Sequence, residues 1–80
     1  MSERLNFQGR LVDTELAAKK LQYRIQGLRT SLRELLDPFE AVKELKAELI
    51  AEEALQLAAR YGEYRAALEE IAAIEKALGR

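Results

Sequence analysis

Between Phe7 and Leu35, apolar or small residues recur at alternating steps of three and four. They are Phe7, Leu11, Thr14, Ala18, Leu21, Ile25, Leu28, Leu32 and Leu35. That spacing places them on one stripe of an α-helix, the seam of a heptad repeat. A second stripe follows: Val42, Leu45, Leu49, Leu57, Tyr61, Tyr64, Leu68, Ile71 and Leu78. It slips by one residue between Leu49 and Leu57, which would relax a supercoil locally.

The two stripes meet at LLDPFE, Leu35 to Glu40, which holds the only proline of the chain. Asp37 is a good N-cap, Pro38 suits the first helical position, and Glu40 stands where a capping box places its acid. Proline also pushes the residue before it out of helical space. The pattern predicts helix 1 over about 3–36, a turn at 37–38 and helix 2 over about 38–78. The fold expected is all-α: an antiparallel, coiled-coil-like two-helix hairpin in a single domain, 1–80. Reversal at 37–38 would set residue i opposite about 75 − i. Thr14 and Ala18 would then face Tyr61 and Leu57, while Leu21 and Leu28 would face Ala54 and Ala47. Large against small suits close packing. The alternative is a three-helix bundle with a break at Gly62. A mid-helix glycine costs only about 1 kcal/mol, and the stripe keeps its phase from Tyr61 to Leu68. Gly9 leaves the start of helix 1 open.

Each helix carries a second apolar stripe away from its seam. On helix 1 it comprises Leu5, Val12, Leu16 and Tyr23. On helix 2 it comprises Leu55 and the small residues Ala59, Gly62 and Ala66, with other alanines nearby. A helix apolar on two sides must bury both. These eight residues are therefore the expected oligomer interface of a homo-oligomeric helical bundle. Toward the turn the outer faces become polar, with Arg29 and Arg33 on helix 1 and Glu40, Glu44, Glu48 and Glu52 on helix 2.

Composition narrows the chemistry. The chain has 80 residues, 49% apolar and 34% charged, and neither cysteine nor histidine. Disulfides, thiol chemistry and histidine-ligated metals are excluded, and so is the commonest general base. Ser2, Thr14, Thr30 and Ser31 have no base partner by motif, and no glycine-rich phosphate loop occurs. No catalytic activity and no cofactor are expected. Glu53 and Glu75 point toward the seam. Glu53 would fall near Lys19 and Gln22, as a salt bridge or register device. No stretch approaches the roughly 18 apolar residues of a membrane span, and MSERLNFQGRL lacks the apolar region of a signal peptide. The expectation is a cytoplasmic protein with no membrane partner.

Thirteen basic and 14 acidic residues give a net charge of −1. Between Leu16 and Arg33, however, lie Lys19, Lys20, Arg24, Arg29 and Arg33 with no acid among them. These five are the candidate nucleic-acid contacts. Helical spacing sends Lys20 and Arg24 to one flank of the seam and Arg29 and Arg33 to the other. They bracket a core more naturally than they line a DNA face, and the glutamates of helix 2 are expected to neutralise them.

The segment from LLDPFEAVKELKAELIAEEALQLAARYGEYRAALEEIAAIEKAL is similar in style to the short, charged, all-helical accessory proteins of bacterial and prophage genomes. That resemblance implies a small interaction or scaffold protein, with a DNA-metabolism or host-takeover setting for a prophage member. The expected function is a self-associating structural or protein-interaction module whose partner is itself, with another protein as a further partner. The alternative is a nucleic-acid-associated accessory factor using the basic stretch.

Overall fold

The computed structural model describes residues 3–80; Ser2, considered above, lies outside the described residues. Helix α1 spans Glu3–Leu35, a 3-10 turn spans Val42–Glu44, and helix α2 spans Ala47–Ala77. The two helices pack side by side as a hairpin measuring 62 × 17 × 14 Å. There is no strand among the described residues, and no helix is long and apolar enough to cross a membrane.

Helix α1 follows its predicted stripe. All nine seam residues from Phe7 to Leu35 are buried or half-buried, with Leu11, Ala18, Ile25 and Leu32 the most enclosed. Gly9 and Gly27 lie within it without a break. Glu3 in the first turn and Arg33 in the last complement the helix dipole.

The turn differs from expectation. LLDPFE does reverse the chain, but Asp37 caps no helix; its Oδ1 accepts the Phe39 N–H at 3.0 Å in an Asx turn. The Asp37 carbonyl also accepts from Glu40 N at 3.3 Å, closing a β-turn with proline at its second position. But no helix grows from it. Ala41 is extended (φ −61°, ψ 140°), Leu45 is extended as well, and α2 begins only at Ala47. Glu40 and Glu44 therefore belong to the connection and not to helix 2. The reason is tertiary. A helix begun at Pro38 would overrun the end of α1 and find nothing to pack against. In the frame that α2 uses, its seam positions would also be Lys43 and Lys46.

That frame is the second correction. The buried or half-buried line of α2 is Ile50, Glu53, Leu57, Arg60, Tyr64, Ala67, Ile71, Ile74 and Leu78, an unbroken three-four alternation. No slip occurs. The slip arose from taking Leu49 for Ile50 and from passing over Glu53, Arg60 and Ala67, which hold seam positions without being large or apolar. Val42, Leu45, Leu49, Tyr61 and Leu68, expected in the seam, are exposed. Helix α2 passes through Gly62 without interruption, so the three-helix break is absent.

The longer connection shifts the register. Leu11 packs with Ile74 and Leu78, Ser31 bonds Glu53, and Arg10 pairs with Glu70. The residue numbers of these pairs add to 85 for Leu11 and Ile74, 84 for Ser31 and Glu53, and 80 for Arg10 and Glu70. The expected sum was 75. The core thus concentrates at the end holding the termini, where Phe7 and Ile71 close on Leu11, Ile74 and Leu78. There α2 ends in a Schellman motif. Gly79 adopts φ +79°, Arg80 N donates to the Glu75 carbonyl and Gly79 N to that of Lys76.

Candidate interaction surfaces

A two-helix hairpin has four sides: the back of each helix and the two flank grooves between them. Heptad position sorts the residues among these sides. Leu16 and Tyr23 lie on the back of α1, with Leu5 and Val12 beside them, and all four are more than half exposed. Leu55 and Gly62 lie on the back of α2, with Ala59 and Ala66 beside them, and all are exposed. The two predicted stripes therefore look in opposite directions. A single partner helix cannot cover both.

One flank groove is lined by Asp13, Thr14, Ala17, Lys20, Leu21, Glu63, Ala66, Ala67 and Glu70. Its rim is mainly acidic. Arg10 Nη2 bonds Glu70 Oε1 at 3.2 Å along this edge, and its guanidinium also lies 5.7 Å from the Phe7 ring centroid. The opposite groove is lined by Ile25, Arg29, Ala54, Leu57, Ala58 and Tyr61. Its floor is aliphatic and its rim basic, with the Arg65 guanidinium 6.0 Å from the centre of the Tyr61 ring.

Lys19, Lys20, Arg24, Arg29 and Arg33 are all exposed. Lys19, Arg29 and Arg33 lie toward the Tyr61 side, and Lys20 and Arg24 toward the acidic groove. The glutamates of α2 do not neutralise them. Among the described residues the ion pairs are Arg10–Glu70 and Arg60–Glu63. Arg29 instead donates to Gln26 Oε1 at 2.9 Å. The glutamates near the turn sit either in the connection or on α2 faces directed away from these cations.

Ser31 and Arg60 escaped the apolar pattern, whereas Glu53 was expected near the seam. The Ser31 hydroxyl donates to Glu53 Oε2 at 2.7 Å in a half-buried setting, so the register device at Glu53 pairs with Ser31 and not with Lys19 or Gln22. Arg60 Nε lies 3.1 Å from Glu63 Oε2, yet its N–H is not aimed at that oxygen and has no hydrogen-bond acceptor. An unbroken heptad frame drawn through α2 would have found Arg60 as well as Glu53.

The tip carries Phe39, 95% exposed, and Val42, 86% exposed, among its charges. It is more apolar than the charged end expected from sequence. Among the described residues, no group of three or more acidic side chains is arranged to hold a metal ion. Protein-family models, curated proteins and solved structures were all compared with this chain, and nothing matches it.

Proposed function

We propose that this protein is a non-enzymatic interaction module, a helical hairpin that associates with further copies of itself through the backs of its helices. The observation that carries the reading is the exposure of Leu5, Val12, Leu16 and Tyr23 along one helix back. Four large apolar side chains in a row on the outside of a thin rod form a patch of the kind that marks interaction sites. The back of α2 offers the complementary shape, small at Ala59, Gly62 and Ala66, where another backbone can approach. Bulky stripe against small stripe, from one copy to the next, is a heterologous contact that builds a ring or an open chain of hairpins. A cytoplasmic setting belongs to the same proposal.

Light scattering after size exclusion tests it. The wild type should elute above monomer mass at tens of micromolar. Leu16→Glu with Tyr23→Glu should give monomers that stay helical, since Leu11, Leu21, Ile25 and Leu28 are untouched. Burying each of these two side chains is worth about 1.5–3 kcal/mol. A monomeric wild type overturns the reading.

A second reading, a nucleic-acid accessory factor, draws on the cations at Lys19, Lys20, Arg24, Arg29 and Arg33, none of which is in an ion pair among the described residues. Their division between two sides of the hairpin weighs against it. A gel shift whose affinity falls steeply with salt would favour it.

A further inference from the structure

We propose that the groove formed by Ile25, Arg29, Ala54, Leu57, Ala58 and Tyr61 receives an acidic amphipathic helix of a partner protein. This surface is separate from the helix backs, so the inference does not rest on self-association.

Three observations fix the chemistry of the occupant. The groove floor is aliphatic, and Ala54 and Ala58 on one wall leave room for inserted side chains. Two helices cover each other's seams from one side only, and Ile25 and Leu57 reach this opening. A third helix laid here would cover Leu57 and Tyr61, with apolar anchors three, four and seven residues apart. The rim supplies the second observation. Arg29 lines the groove, Arg65 lies at the Tyr61 ring, and Lys19 and Arg33 share the same side by heptad position. From Lys19 to Arg33 on α1, and on the facing positions Ala51, Ala54, Ala58, Tyr61 and Arg65 of α2, there is no acid. This makes an acid-free basic strip about 20 Å long, nearly four helical turns. Third, the strip is unspent. None of its four cations is in an ion pair among the described residues. An incoming helix with Glu or Asp beside its apolar stripe would meet free cations on both edges.

The other groove shows how the choice of partner is made. It has a similar small and aliphatic floor but carries Asp13, Glu63 and Glu70 against Lys20. The hairpin thus presents two grooves of like shape, one basic and free of acids, the other with Asp13, Glu63 and Glu70 among Arg10, Lys20 and Arg24. An acidic helix is drawn to one and meets acids in the other, so charge decides where it docks.

The same features argue against nucleic acid as the occupant. Single-strand binders stack successive bases on several aromatic rings. Here there is one ring, and Arg65 approaches it. Duplex binding needs cations on a protruding ridge that meets phosphates, whereas these border a cleft.

The test uses the full chain and fluorescence anisotropy. One probe is a labelled helical peptide of about five turns, with leucine at its seam positions and glutamate at the flanking ones. A twin carries lysine in place of every glutamate. A single-stranded and a duplex DNA oligonucleotide complete the set. The glutamate peptide should bind and weaken with added salt, while the lysine twin, which has the groove of Asp13, Glu63 and Glu70 open to it, should not need Arg29 or Arg65. The Arg29→Glu/Arg65→Glu variant should stay helical by circular dichroism, lose at least about tenfold for the glutamate peptide and prefer the twin. Should that variant lose helicity, Arg29→Gln/Arg65→Gln serves in its place, with a smaller loss expected. Lysine-twin binding that is lost in the Arg29→Glu/Arg65→Glu variant overturns the proposal. So does glutamate-peptide binding that ignores the arginine changes, or an oligonucleotide that binds tighter than the glutamate peptide and is lost in the same variant.

Discussion

Ser31 and Glu53 join the two helices across their seam, the hydroxyl donating to the carboxylate at 2.7 Å. Glu53 stands in the seam line of α2, where a heptad frame would otherwise place a packing side chain, and Ser31 flanks the seam of α1 beside Leu32. Ser31→Ala removes the donor and leaves a half-buried carboxylate short of a partner, a loss of about 1 kcal/mol. Ser31→Ala combined with Glu53→Leu removes both polar groups and fills the layer. The double variant should melt at or above the wild-type temperature, because paired replacement by apolar groups is often neutral or stabilising. A double variant clearly less stable than Ser31→Ala alone would contradict this account of the pair.

Arg60 sits in the same seam with its Nε–H lacking an acceptor. Arg60→Leu should raise stability by about 1 kcal/mol, since it exchanges an unsatisfied donor for apolar burial. Thermal melting should show an increase of about 4–8 °C for a chain of this size. No increase would mean that the Arg60–Glu63 pair contributes more than its geometry indicates.

The register predicts where the helices can be stapled. Ala18 and Ala67 share a layer when facing residues add to about 85, and Ala18→Cys/Ala67→Cys should oxidise readily to an intramolecular disulfide. Ala18→Cys/Leu57→Cys should not. Leu57 lies about 15 Å further along the axis at 1.5 Å per residue, far beyond disulfide reach. Non-reducing electrophoresis reads the result. Cross-linking of the second pair in place of the first would restore the register expected from sequence.

Gly27 and Gly62 both lie inside helices with open space where a Cβ would go. Each change to alanine should stabilise the fold by up to about 1 kcal/mol. The two should part company in assembly. Gly27→Ala leaves the oligomer intact, while Gly62→Ala adds a methyl to the small stripe and lowers the mass measured by light scattering. Identical masses would remove Gly62 from the contact.

At the tip, Asp37→Ala loses the carboxylate that accepts the Phe39 N–H. The expected loss is about 0.5 kcal/mol, the low end for a single hydrogen bond, since this one closes an exposed turn and caps no helix. Phe39 packs on almost nothing, so Phe39→Ser should leave the stability within about 0.5 kcal/mol of wild type. A large destabilisation by Phe39→Ser would show that the ring is covered in solution.

Local patterning determined a good deal here. The three-four spacing from Phe7 to Leu35 specified helix α1 and its buried face, because a helix of ordinary pitch has only one stripe through those positions. Asp37 and Pro38 specified a reversal, because an Asx turn and ring sterics act within a few residues. The exposed stripe of Leu5, Val12, Leu16 and Tyr23 followed from the same periodicity. The start of α2, its seam frame and the register depended on the partner helix. Local sequence allowed a helix from Pro38, but only residues from Ala47 onward have α1 beside them, and burial against α1 is what stabilises helix over turn. Glu53 and Arg60 hold seam positions because Ile50, Leu57, Ile71, Ile74 and Leu78 fix the phase of the whole helix, a cooperative choice that no single residue reveals. The sorting of Arg29, Tyr61 and Arg65 onto one groove, and of Asp13, Glu63 and Glu70 onto the other, was settled last. It required the register, since charges from two separate segments become neighbours only when the hairpin closes at its actual turn.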